Sequence, residues 1–193
     1  MTSDFYSAYN ELSALKQRCL GHLLAELKKI QEKNGFAPDS IDGMFCQELK
    51  TVLKQTIDVW NEYREATRVF KDLVKEKERA TPRIVELLLS PIKHRDTQRV
   101  RNRIIKHNQE LFVFLDKPSV EPTNNRAERQ LRPMVIMRKL TFGNRSDLGA
   151  LNLAMIMSII QTGVLNDIEP LDIFLALSEK PLTSFELPTI RPP

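Results

Sequence analysis

Pro122-Thr-Asn-Asn-Arg-Ala-Glu128-Arg-Gln-Leu-Arg-Pro133 is the stretch on which the reading of this chain turns. Residues 116–123 include Pro118 and Pro122 and read as a loop. Thr123-Asn124 then caps a helix that carries Glu128 and runs to about Leu131, where Pro133 ends or kinks it. Glu128 therefore lies one turn inside a helix, ringed by Arg126, Arg129 and Arg132 and preceded by two side-chain amides. A carboxylate among arginines has an ordinary reading, a structural ion pair. It has a chemical one too: a metal ligand presented by a helix, with the arginines holding phosphate oxygens. The ion that suits such a site is Mg²⁺, which takes few protein carboxylates and completes its shell with water and phosphate.

Outward from this junction the pattern is mainly helical. Downstream, Arg138 to Ser146 is a strand or loop containing Gly143. Asp147 caps a helix from Leu148 to about Leu165 whose apolar residues lie nearly all round, which predicts burial. Glu169-Pro170 starts a last helix to about Lys180, and the Pro-rich tail from Pro181 is expected to fray. Upstream, Ser90-Pro91 opens a strongly basic helix to about Leu115, and Thr81-Pro82 opens the one before it, the two forming a hairpin. One long helix precedes them, with Phe45, Leu49, Val52, Leu53, Ile57, Trp60, Tyr63, Phe70 and Leu73 along one side. Nearer the start, Leu12, Leu15, Cys19, Leu23, Leu27 and Ile30 recur at helical spacing up to a stop at Asn34-Gly35. A short strand over residues 16–20 fits equally well, and periodicity does not choose between them.

The 193 residues are 41% hydrophobic and 28% charged, enough apolar content for a real core and too much for a disordered chain. Two cysteines are too few for a disulfide framework, which points to a reducing compartment. The first residues carry neither a basic nor an apolar leader pattern, and the longest apolar run, Leu148 to Ile160, falls short of the roughly 20 residues of a membrane span. The expectation is a cytoplasmic protein with no membrane partner. The net charge of +4 is unevenly placed: from Lys93 to Arg145 there are 13 Lys+Arg against 5 Asp+Glu. Lys93, Arg95, Arg99, Arg101, Arg103 and Lys106 make one helix basic around much of its circumference, suited to a phosphate backbone. A solvated, salt-bridged surface helix is the alternative.

Several motifs agree in order with one family. Asn124-Asn125-Arg126-Ala127-Glu128-Arg129-Gln130-Leu131-Arg132-Pro133 resembles the signature of IS66-family insertion-sequence transposases. Arg138-Lys139, Phe142-Gly143-Asn144 and Ser146-Asp147-Leu148-Gly149 resemble the family's Arg-Lys and Ser-Asp-x-Gly stretch. Leu165-Asn166-Asp167-Ile168-Glu169-Pro170 resembles its Leu-Asn-Gly-x-x-Pro turn, with Asp167 where glycine is usual. Asp4-Phe5-Tyr6-Ser7-Ala8-Tyr9 and Cys19-Leu20-Gly21-His22 resemble its Asp-Gly-Tyr-x-x-Tyr and Cys-x-x-His stretches, Phe5 replacing glycine.

The resemblance implies a DDE-type catalytic domain on an RNase H-like fold, in which three acidic residues bind two divalent ions, Mg²⁺ or Mn²⁺. Asp4 matches the second aspartate and Glu128 the glutamate, both as metal ligands and catalytic residues. The family's first aspartate lies upstream of this region, so the chain is expected to be the C-terminal part of the domain, with little strand-transfer activity of its own. DNA is the implied partner, contacted by Arg126, Arg129, Arg132, Arg138 and Lys139 and by Arg99 and Arg103 of the basic helix. Self-association and other proteins of the same mobile element are the further partners. His22 is a candidate contact to phosphate or a leaving group, with a core-edge histidine as the plain alternative. A zinc site at Cys19-x-x-His22 is disfavoured because Cys46, His94 and His107 stand at no ligand spacing.

The fold expected is mainly α with a small β component: the C-terminal part of an RNase H-like α/β core carrying a helical insertion. Its divisions are a partial core at 1–33, the helical insertion at 34–115, core helices with the glutamate motif at 116–180 and the tail at 181–193. The rival reading is a non-catalytic helical protein, binding DNA or a partner, left from a mobile element.

Overall fold

The computed structural model describes residues 2–5 and 16–179. The chain is mainly helical, as its periodicity predicts, and divides into two units, Met1–Asn125 and Arg126–Pro193. In the first, Thr2–Ser3 (β1) pairs in parallel with Gln17–Arg18 (β2), Thr2 opposite Gln17 and Ser3 opposite Arg18. The open choice at residues 16–20 is thus settled as a two-residue strand that feeds at once into α1 (Leu20–Asn34). Leu12, Leu15 and Tyr6 to Tyr9, and the tail from Pro181, lie outside the described residues.

The five helices of the first unit are α1, α2 (Ile41–Arg64), α3 (Phe70–Leu88), α4 (Arg95–Lys106) and the short α5 (Val113–Asp116). The α1 stripe Leu20, Leu23, Leu27 and Ile30 meets Phe45, Leu49, Val52 and Leu53 of α2 in one core. Leu73, Ala80 and Ile84 of α3, Val100 and Ile104 of α4, and Phe114 and Leu115 of α5 complete it. Each fully buried leucine contributes about 1.5–3 kcal/mol, so this stripe arrangement rather than helix propensity holds the unit together. Gln17, fully buried, binds β2 to this core: its Nε2 donates to the Leu111 carbonyl at 2.7 Å and its Oε1 accepts the Phe114 N–H at 3.2 Å. α1 stops where expected, with Gly35 in the left-handed conformation at φ 58°.

Several expected boundaries move. The single long helix from Phe45 to Leu73 is two, because Ala66 turns into the left-handed region (φ 57°) and Thr67 N–H and Oγ1 both bond back to the Glu62 carbonyl. The turn brings the α3 stripe onto α2, a gain that no local glycine or proline announces. Thr81-Pro82 does not start a helix. The Thr81 hydroxyl donates back to the Lys77 carbonyl at 2.8 Å and Pro82 lies inside α3. Nor does Ser90-Pro91 open the basic helix. That helix begins at Arg95 and ends at Lys106, short of Leu115, and its start is held by Asp42 of α2. The Asp42 carboxylate accepts the N–H groups of His94 (3.1 Å) and Lys93 (3.4 Å) and the Thr97 hydroxyl. Burial raises its pKa, but these hydrogen bonds outweigh burial and hold it below the ordinary 3.8. The hairpin is therefore α2 with α3.

In the first turn of α2, a Cβ on Gly43 would stand 2.2 Å from the Ala37 carbonyl oxygen of the preceding loop. Gly43→Ala is expected to destabilise by about 1–3 kcal/mol, read as a lower urea midpoint. An unchanged midpoint would mean that the turn yields.

The second unit holds the rest of α6 (Asn125–Leu140), α7 (Asp147–Leu165) and α8 (Pro170–Glu179). α6 runs on through Pro133, contrary to the expected stop there, and so takes in Arg138 and Lys139. Most of its residues are exposed, and Pro133 costs the helix one N–H donor, the one that would pair with the Arg129 carbonyl. Ser146, not Asp147, caps α7, accepting the Gly149 N–H at 3.1 Å. α7 is not buried as its composition predicts: Leu148 is 66% and Leu151 56% exposed, and only Met157 and Gly163 of the helix are buried. The burial expectation assumed a core around this helix, whereas among the described residues of its unit its main packing partner is α8. By length and composition α7 is the one helix among the described residues that would reach across a membrane.

Candidate active site

The first helical turns of α1 present His22, Ala25, Glu26 and Lys29 at i, i+3, i+4 and i+7, one face of the helix. That face, the residues Asp4 and Phe5 that follow β1, and Arg103 of α4 line a cavity of about 320 Å³. Asp4 and His22, singled out from the sequence, therefore share a site. Arg103 is brought to it also, in a role other than the one expected. Its guanidinium pairs with both carboxylate oxygens of Glu26, at 3.1 Å for Nη2 to Oε1, and stands 5.2 Å from the centre of the Phe5 ring. Its charge is thus engaged within the protein.

Asp4 is held from behind. Arg18, fully buried, donates through Nη1 to the Asp4 carbonyl at 2.7 Å and through Nε to Glu110 Oε2 at 2.6 Å. His107 Nδ1 lies 2.9 Å from the same Glu110 oxygen. Burial lowers the His107 pKa below its ordinary 6.5, and the neighbouring Arg18 charge lowers it further. Burial alone would raise the Glu110 carboxyl, but Arg18 and His107 together outweigh it and the net direction is down.

The loop leading into α6 is bound to this same region of the first unit. The Leu20 N–H donates to the Pro122 carbonyl at 2.9 Å, the Thr2 hydroxyl donates to the Glu121 carbonyl at 2.6 Å, and the Asn124 N–H reaches Cys19 Sγ at 3.4 Å. Cys19 is accordingly a buried packing residue. Glu128 lies in the first turn of α6, within the second unit, and is exposed, as are Arg126, Arg129, Arg132, Arg138 and Lys139. Arg99 of α4 keeps most of its side chain exposed, 3.4 Å from Asp96.

A model of the IS66 transposase family matches residues 1–152. The chain belongs to that family. No curated protein and no solved structure matches it. Membership gives this IS66 transposase a role connected with transposition, with DNA as the substrate class and divalent metal as the cofactor class that the family implies.

Whether the residues present suit such an ion can be asked of the cavity. Among the described residues no three His, Cys, Asp or Glu side chains converge as a closed metal cage requires. Two carboxylate residues line the cavity, Asp4 and Glu26, the latter paired with Arg103. Two buried oxygens, Ser3 Oγ and Asn124 Oδ1, have no hydrogen-bond partner among the described residues. A sparse set of oxygen donors matches Mg²⁺, which is bound through one or two carboxylates plus water and substrate phosphate. Sequence reasoning missed Glu26 and Lys29, although their spacing from His22 would have found them. It missed Arg18 because a charged residue in a two-residue strand gives no periodic signal.

Proposed function

We propose that this IS66 transposase contributes part of a DDE-type catalytic domain, RNase H-like in fold, that acts on DNA phosphodiesters with Mg²⁺ or Mn²⁺. The observation that carries the reading is the cavity in which Asp4 and His22 meet. In this reading β1, β2 and α1 belong to the core, residues 34–115 are the helical insertion, and Asp4 and Glu128 are metal ligands. When bound, the ion supplies charge stabilisation at the phosphate oxygens. His22 stands to hydrogen-bond a phosphate oxygen or the departing oxygen, and the exposed Lys29 offsets phosphate charge at the cavity edge. Arg126, Arg129, Arg132, Arg138, Lys139 and Arg99 serve as sequence-independent backbone contacts. Arg103 orders the cavity wall instead, through Glu26 and Phe5.

The reading is tested by titrating the chain with Mn²⁺ and following the free ion by electron paramagnetic resonance. Asp4→Asn is expected to weaken binding by more than about tenfold, the loss that removing even a supporting residue of a metal site causes. Equal affinity in the variant and the parent would remove Asp4 from the site.

A further inference from the structure

We propose that Arg18 is the positioning residue for Asp4: through a fixed fork of hydrogen bonds it sets the direction in which the Asp4 carboxylate enters the cavity. The inference rests on the reading of Asp4 as a metal ligand. Its physical basis is separate. β1 is two residues long and among the described residues pairs with β2 alone, a ladder too short to fix the residue beyond it. The Ser3 carbonyl takes a main-chain bond from the Cys19 N–H at 2.7 Å. The next carbonyl, that of Asp4, is taken by the Arg18 side chain instead.

A guanidinium suits this task because its donors lie in one rigid plane. Glu110 holds the Nε edge at 2.6 Å and His107 Nδ1 lies 3.3 Å from Nη2, leaving Nη1 aimed at Asp4. The side chain is 1% exposed, and a charge buried that deeply persists only with its partners in place. Phe5 is fixed on the far side of Asp4. Its ring centre lies 5.8 Å from the Arg18 guanidinium, and the His107 ring meets it edge-on at 5.8 Å. The peptide units on both sides of the Asp4 Cα are thereby held. Arg18 does not line the cavity, so it acts there through the lining residues it touches, Asp4 and Phe5. Glu110 and His107 come from the end of the 34–115 segment, which gives that helical segment a part in shaping the site.

The test uses the full chain and Mn²⁺ alone, with free Mn²⁺ read by electron paramagnetic resonance and folding scored by thermal melts. Arg18→Lys keeps the charge and loses the fork, whereas Glu110→Gln keeps the shape and loses the charge that orients it. Both are expected to weaken Mn²⁺ binding about tenfold to a hundredfold, the range for residues that orient metal ligands, in protein that still melts cooperatively. Glu48→Gln, which breaks the surface pair with Arg83, is expected to leave affinity unchanged and scores the effect of losing an ion pair as such. Parental affinity in folded Arg18→Lys and Glu110→Gln, with Asp4→Asn weakened, overturns the positioning role and leaves the ligand reading standing. No effect of Asp4→Asn overturns the ligand reading, and this inference with it. Should Arg18→Lys fail to fold, Glu110→Gln decides alone, since its side chain is 27% exposed.

Discussion

In a cleavage-competent member of the family, glutamine at the position of Glu128 is expected to abolish DNA cleavage while leaving duplex binding nearly unchanged. Glutamine keeps the shape of the side chain and removes its negative charge, so it deletes the property a hard cation needs and little else. Glu128 stands in the first turn of α6, where the helix dipole favours a negative charge, and it is exposed rather than buried in a neutralising shell. In the proposed reading duplex binding draws on other groups, the exposed arginines and lysine along α6. The number of phosphates neutralised is unaltered, so the slope of log affinity against log salt should hold. A nicking assay beside fluorescence anisotropy across a salt series separates the two. Parallel loss of cleavage and binding would identify Glu128 as the structural partner of its neighbouring arginines.

Glu110→Ala is expected to cost the first unit on the order of 3 kcal/mol near pH 7, because it strands the buried Arg18 charge. The loss should shrink in acid, and the sign follows from the direction of the shifts. Glu110 has a folded pKa below its ordinary 4.5, so the stability it contributes is complete above that value and is lost as pH falls through the folded one. His107 is also lowered, from 6.5, so the unfolded chain takes up its proton first and stability starts to fall below about that pH. Urea denaturation at a series of pH values between 7 and 3 should show the parent declining toward the variant. Curves that stay parallel down to pH 3 would remove Glu110 as the counter-ion.

The mainly helical character was readable because apolar residues recur at three and four residues along α1 and α2. The candidate residues Asp4, His22 and Glu128 were picked out on a different ground: they sit in short motifs that resemble those of the family. What the motifs did not contain was the support. Arg18, Glu110 and His107 lie far apart in the sequence, and only the docking of the α4–α5 segment on β2 brings them together. The misplaced boundaries have one cause. Thr-Pro and Ser-Pro pairs are local signals, yet at Thr81 and Ser90 they yield to the packing of α3 and to the Asp42 cap. The burial of α7 was inferred from composition alone, which measures how apolar a helix is and not whether anything covers it.

The threads that close the first unit also set an order of events. Thr2 is joined to Glu121 across 119 residues and Gln17 to Leu111 across 94, whereas the α2–α3 hairpin closes over a link of a few residues. Distant closures carry the larger entropic toll and form late. On a ribosome the helices can therefore gather early, while the amino-terminal edge waits for residue 122 to emerge. Asp4 takes its place only after that late closure, well behind the helices that surround it.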